Sequence, residues 1–196
     1  FARDISERQH AEEAIIMRNA ALAGLLRGEP LNGLRELIAL ATEAELPNLR
    51  CAILLASEDG RTLHLGAAPS LPDEGQAALD GIAIAEGVGA SGSAAFRRQR
   101  VVIDNVFTDP KGVAFRNFAR AAGVISGWAE PIFGSDGELL GTFAAYHTEV
   151  FTPNNEQLAL LKLNSQLAAM IIAHHVNGLR LQASLTTFRG IFNSVN

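Results

Sequence analysis

Apolar residues recur along this chain with two periods, near 3.6 and 2, and the switches between them mark out its elements. The opening stretch RDISERQHAEEAIIMRNAALAGLL is dense in Ala, Glu, Arg and Leu, with no Gly or Pro before Gly24, and predicts a helix. Asp4 and Ser6 offer an N-cap, and Glu7 follows Asp4 at capping-box spacing. Ile15, Ile16, Leu22, Leu25 and Leu26 give this helix one apolar stripe. A second helix is predicted from Leu31 to about Glu45, with Leu34, Leu37, Ile38, Leu40 and Ala41 at helical spacing and Pro47 ending it. Two strands follow, RCAILLA near 50 to 56 and RTLHLGAA near 61 to 68, joined by SEDG, in which Asp59-Gly60 signals a hairpin turn.

A short helix is predicted from Pro72 to Asp80 and an edge strand from Ile82 to Ile84. The glycine-rich GVGASG then releases into a helix from about Ser91 to Arg98, and VVID at 101 to 104 gives another short strand. Asp109-Pro110 breaks the chain before the helix of VAFRNFARAAG, which stops at Gly123. Two longer strands, VISGWAEPIF and LLGTFAAYH, flank the turn SDG at 135 to 137. Strands early and late, with helices between and outside them, predict an α+β fold: an antiparallel sheet of about six strands with helices on both sides.

From Pro153 to the C-terminus the periodicity is clearest. Leu160, Leu167, His174, Leu181 and Phe188 fall at intervals of seven, and Asn164, Ile171, Leu185 and Phe192 lie four residues after members of that series. This pattern predicts the seam of a parallel homodimer, with Asn164 and His174 as its polar, switchable members. A neighbouring stripe of Leu161, Ala168 and Ile172 is expected to face the sheet, while Gly178 interrupts the seam.

Composition narrows what such a fold does. The chain has 196 residues, 48% of them apolar, enough for one domain with attached helices. A formal charge of −5 argues against a nucleic-acid partner, and the run Arg97, Arg98, Arg100 reads as a solvated helix end. No apolar run reaches the roughly 18 residues of a membrane span and no secretory signal opens the chain, so the expected location is cytoplasmic. A first residue of Phe1 rather than Met suggests a fragment of something longer. The single cysteine, Cys51, rules out an internal disulfide and reads as a small core residue of a buried strand.

Little in the sequence points to catalysis. Ser91 and Ser93 lie in a Gly-rich turn without the strand, elbow and helix of a nucleophile loop, and the spacing of Gly87, Gly89 and Gly92 lacks the Lys of a phosphate loop. Adjacent His174 and His175 point about 100° apart on a helix and cannot chelate one ion together. Asp104 and Asp109 are expected to cap their own loop. Trp128 alternates with Ser126, Glu130 and Ile132 on one face, opposite Gly127 and Ala129, and either walls a pocket or fills core. Phe96, Phe115 and Phe118 come from helices expected over the same end of the sheet.

The blocks GVGASGSAAF, VVIDNVFTDP, GVISGWAEPI and GELLGTFAAYH, in that order, resemble the ligand-pocket half of a bacterial GAF domain. The resemblance covers about 30 to 175, strongest toward modular receptors with GGDEF, EAL or histidine-kinase outputs. In that subgroup Gly89 to Ala95 matches a Gly-Ser-Cys-Gly-Thr-Ala-Ala pattern, with Ser91 where Cys is usual and Gly127 at a second cysteine position. It implies a non-enzymatic sensory domain at 29 to 176 that binds an unidentified small molecule and signals as a homodimer to an output such as cyclic di-GMP turnover. Its alternative is a dimerisation and relay module without ligand. Residues 1 to 28 and 177 to 196 resemble linkers to flanking PAS domains. The expected ligand site is the Trp128 face, enclosed by residues 87 to 98 and 104 to 122, with Ser91, Ser93, Phe96, Asp104, Phe115, Phe118, Ser126 and Trp128 as contacts.

The same resemblance argues against cofactors. Free methionine sulfoxide reductases of the family need several cysteines, and bilin binding needs a pocket cysteine that Cys51 does not supply. Haem would need an axial ligand for which His147 is the nearest candidate. The Asn-Lys pair of cyclic-nucleotide-binding members is replaced by Tyr146-His147.

Overall fold

The computed structural model describes the backbone of residues 2–194 and the side chains of residues 8–174. Helix α1 (Ala2–Arg27) is already running at Ala2, so Asp4 and Ser6 lie within the helix rather than at its start. A short turn leads into α2 (Leu31–Glu45), which packs along α1 as a helical hairpin. The chain then lays down β1 (Leu49–Ala56), β2 (Thr62–Ala67), α3 (Asp73–Leu79), the two-residue β3 (Ile82–Ala83) and α4 (Gly89–Arg97). After β4 (Val101–Ile103) come a 3-10 segment (Pro110–Phe115), α5 (Arg116–Ala122), β5 (Ser126–Phe133), β6 (Leu139–His147) and the 40-residue α6 (Asn155–Ser194), which passes through Gly178 unbroken.

The six strands form one antiparallel sheet in the order β3-β2-β1-β6-β5-β4. The last strand, β6, inserts beside the first, so the two longest pairings lie at the centre, where both sheet faces are covered and the sequence is apolar on both. One face carries α1, α2 and α6 over a core of Leu34, Ile38, Cys51, Trp128, Phe143 and Leu161. The other carries α3, α4, the 3-10 segment and α5 over Ala90, Ala94, Phe115, Phe118, Ala144 and Tyr146. The predicted α+β sheet with helices on both sides is the fold observed.

The predicted dimer seam is largely an internal one. Asn164 and Ile171 are fully buried within the chain, and Leu160 and Leu167 pack half-buried against the α1–α2 side of the core. Heptad spacing records helix packing without saying whose helix is the partner; here much of it is the chain's own hairpin. His174 is exposed, while Leu181, Leu185, Phe188 and Phe192 lie outside the residues whose side chains are described. Leu161, Ala168 and Ile172 do face the sheet, as their stripe predicts. Among its described residues, the large apolar side chains that α6 leaves in solvent are Leu163 and Met170, one heptad apart, and α1 exposes Ile15 and Ile16.

Candidate functional site

Strand alternation fixes which side chains meet on each face. Gly127 pairs with Tyr146 across β5 and β6, and Trp128 pairs with Ala145, so Tyr146 and Trp128 point to opposite faces. Trp128 is fully buried among α2 and α6, its ring stacked on Phe151 at 6.0 Å between centroids and its indole N–H without a partner. The expectation that Trp128 walls a pocket beneath α4 and α5 is therefore corrected. Its alternation partners were read rightly from sequence, but with both faces apolar nothing local said which of them the pocket helices cover.

A cavity of about 20 Å³ lies on the Tyr146 face, bounded by Ala90 of α4, Val106, Phe115 of the 3-10 segment, Phe118 of α5, Gly127 and Tyr146. That is room for about one water, and the walls are apolar enough for it to stay dry. Three rings fill the space around it as a ladder, with Phe115 and Phe118 at 4.6 Å and Phe118 and Tyr146 at 5.0 Å between centroids. Two glycines make room for the ends of that ladder. A Cβ on Gly89 would lie 2.5 Å from the Phe115 ring, and one on Gly127 would lie 2.8 Å from the Tyr146 ring.

Two hydroxyls are buried beside the ladder. Ser91 on α4 is 0% exposed and Tyr146 3%; the two hydroxyls lie within reach of each other, and neither has any other hydrogen-bond partner. Burial pushes the Tyr146 phenol well above its usual pKa, offset in part by the nearby Ser91 hydroxyl, so both groups are neutral. None of the side chains bounding the cavity is charged. Arg116, next to Phe115 in the chain, turns its guanidinium to the Phe107 carbonyl at 2.8 Å, and Arg50 donates to the Ala122 carbonyl at 2.7 Å.

The other expected contacts separate. Ser93 is buried, but its Oγ accepts the Gly87 N–H at 3.1 Å and closes its own turn. Ser126 borders the cavity while its hydroxyl donates to the Glu149 carbonyl at 2.7 Å. Phe96 is 57% exposed on the outside of α4, because the helix turns Ala94 and Ala95 inward instead. Asp104 is exposed in an outer loop away from the chamber, where Asn105 and Asp109 do the capping, accepting from Phe107 N–H and Lys111 N–H. Tyr146 was passed over as a ligand contact in the sequence; the signal that could have found it is a glycine inside β5 directly opposite a tyrosine in β6.

Cys51 and His147 lie on the other side of the sheet from the chamber. Burial and the neighbouring Glu43 carboxylate push the Cys51 thiol up, which keeps it protonated. His147 stacks on Phe151 at 4.7 Å and accepts the Glu149 N–H on Nδ1. Among the described residues no group of three His, Cys, Asp or Glu side chains could hold a metal ion, and no helix is long and apolar enough to cross a membrane.

Comparison with known proteins bears on the same architecture. A methyl sulfide methyltransferase-associated sensor from Methanosarcina acetivorans is 35% identical over 193 residues, covering 98% of this chain and 19% of that protein. The chain thus spans about a fifth of its relative's length. Residues 122 to 287 of a methyl-accepting chemotaxis protein align with a TM-score of 0.65 at 22% identity, covering 83% of this chain and 98% of that one. The free methionine-R-sulfoxide reductase of Neisseria meningitidis, solved with its substrate, also gives 0.65, at 14% identity over 88% of this chain and 93% of that one. With this six-stranded sheet helix-covered on both faces, and the sequence model for the GAF domain matching residues 33–173, the chain belongs to the GAF domain family.

Proposed function

We propose that this domain is the sensory module of a larger signalling polypeptide, that the chamber between Ser91, Phe115 and Tyr146 receives a small molecule, and that α1 and α6 carry the response to an output domain. The observation that carries this reading is the buried Tyr146 hydroxyl on the wall of a largely apolar cavity, with the buried Ser91 hydroxyl beside it as its one polar neighbour and no other partner for either. An unpaired buried hydroxyl costs about 1–3 kcal/mol, and a ligand group that satisfies it recovers that cost. The output is a cyclic di-GMP enzyme or a histidine kinase, with PAS domains flanking this one, and the working unit is a homodimer. We read the domain itself as non-enzymatic, since the chamber offers two neutral hydroxyls and no thiol, the lone cysteine lying across the sheet.

A second reading, a relay whose chamber stays closed, is favoured by the small volume of the cavity, which holds no metabolite as it stands. Native mass spectrometry of the freshly purified protein separates the two. The sensory reading expects a small molecule released on unfolding and absent from the Ser91→Leu variant. Mass spectra showing only apoprotein, with no change in the Tyr146 resonance on adding cell extract, would favour the closed relay.

A further inference from the structure

We propose that the chamber selects an uncharged molecule about the size of one aromatic ring, whose body takes the place of the Phe115 ring and whose single polar group docks between the Ser91 and Tyr146 hydroxyls. This rests on reading the chamber as the ligand site, and adds the class of ligand and the element that yields to it.

Three features of the site point to that class. Its bounding side chains carry no charge, and the Arg116 guanidinium, whose Nε is without a partner, is not among them, so an ionised ligand would be desolvated without a counter-charge at the cavity wall. With the Ser126 hydroxyl spent on the Glu149 carbonyl, the polar groups left are the Tyr146 hydroxyl at the wall and the Ser91 hydroxyl beside it, on β6 and α4, each able to donate and to accept, which suits one carbonyl, amide or hydroxyl on the ligand. Its free space is far too small for a ring, so something must leave.

Phe115 is the ring placed to leave. Tyr146 is anchored in the central strand pair and Phe118 sits within α5, whereas Phe115 ends a 3-10 segment, whose hydrogen bonds are weaker than those of an α-helix. It occupies the space over Gly89 that any other residue would fill with its own side chain, so its departure uncovers bare α4 backbone two residues before Ser91. In the free domain Phe115 thus stands in for the ligand. Moving it shifts the 3-10 segment, which gives occupancy of the chamber a mechanical readout.

Tyr146 and Trp128 are the only tyrosine and the only tryptophan, and they lie on opposite faces of the sheet. Carbon-13 labelling of both gives one resonance in the chamber and one control across the sheet. Benzamide, benzoate and benzene are the probes, titrated into wild type, Ser91→Ala and Phe115→Ala. Benzamide is expected to shift Tyr146 saturably while Trp128 stays still, with benzoate and benzene each binding about tenfold more weakly, the worth of a hydrogen bond or more. Ser91→Ala should erase most of the preference for benzamide over benzene, and Phe115→Ala should bind both about tenfold more tightly because no ring has to move. Benzoate binding as well as benzamide, or an unchanged preference in Ser91→Ala, overturns the ligand class while leaving the chamber as the site. No saturable Tyr146 shift from any probe, even in Phe115→Ala, overturns the chamber reading itself.

Discussion

Arg18 on the first helix donates from Nε to the side-chain oxygen of Asn164 on the last, at 2.9 Å, beneath the surface of the helical layer. The same guanidinium is ion-paired with Glu45 at the end of α2, so one side chain ties together the helices that lead into and out of the domain. Asn164 was expected to be a polar member of a dimer seam; its role is to receive this tie, with its amide nitrogen left unpartnered.

Removing one member of that tie strands the others. Arg18→Met leaves the Glu45 carboxylate and the Asn164 amide without their partner and is expected to cost about 2–4 kcal/mol. Asn164→Leu is expected to cost less, and the two changes together less than the sum of each alone, with a coupling of about 1 kcal/mol or more. Urea unfolding of the double-mutant cycle measures this, and additive losses would show that the contact contributes nothing specific.

Gly141 sits in β6 where a Cβ would fall on the Leu54 carbonyl oxygen of β1, at the centre of the sheet. The atom in the way is backbone and cannot step aside. Gly141→Ala is therefore expected to destabilise the fold by about 3 kcal/mol or more. Gly137→Ala, in an open turn with nothing near the new atom, should cost less, although its positive φ adds strain. Equal unfolding midpoints for the two variants would contradict this account.

The Glu43 carboxylate accepts the Cys51 N–H at 2.7 Å and bonds to Ser70, but burial is the larger effect and raises its pKa above the ordinary 4.5. A raised folded pKa means that the folded state holds the proton more tightly than the unfolded chain. The contribution to stability is fully present below 4.5 and is lost as pH rises through the folded value. Glu43→Gln, which keeps an acceptor for Cys51 without the charge, should thus gain on wild type in thermal midpoint between pH 4 and pH 8. A difference that stays constant across that range would remove the burial argument.

Self-association is expected through the face of α6 that the chain leaves open. Leu163 and Met170 lie one heptad apart in solvent, and substituting both with Glu should weaken a homodimer without unfolding the domain. The same change at Ile171 should unfold the domain instead, because that side chain is fully buried in its own core. Light scattering together with circular dichroism distinguishes the two, and a dimer indifferent to the Leu163 and Met170 changes would place the interface elsewhere.

The elements were legible because their ends carry turn chemistry. Asp59-Gly60, Asp109-Pro110, Gly123 and Asp136-Gly137 all sit at breaks in periodicity, and the observed elements stop or turn there. What could not be read was which face of a doubly covered sheet is which. Trp128 and Ala129 are both fully buried, and only the helices packed above them, set by long-range topology, make one the bulky structural core and the other part of the chamber side. The heptads of α6 are ambiguous for a related reason, since an internal helical hairpin and a second copy ask for the same spacing. Ser91, Phe115 and Phe118 are gathered at the chamber, whereas Phe96, Asp104 and Trp128 are not.

The sheet ends in strands of two and three residues, β3 and β4. Edges that short present too few free amide and carbonyl groups to template another chain, so the domain is guarded against stacking into fibrils or trading strands with its neighbours. Crowding can therefore press many copies together while leaving each one's sheet its own.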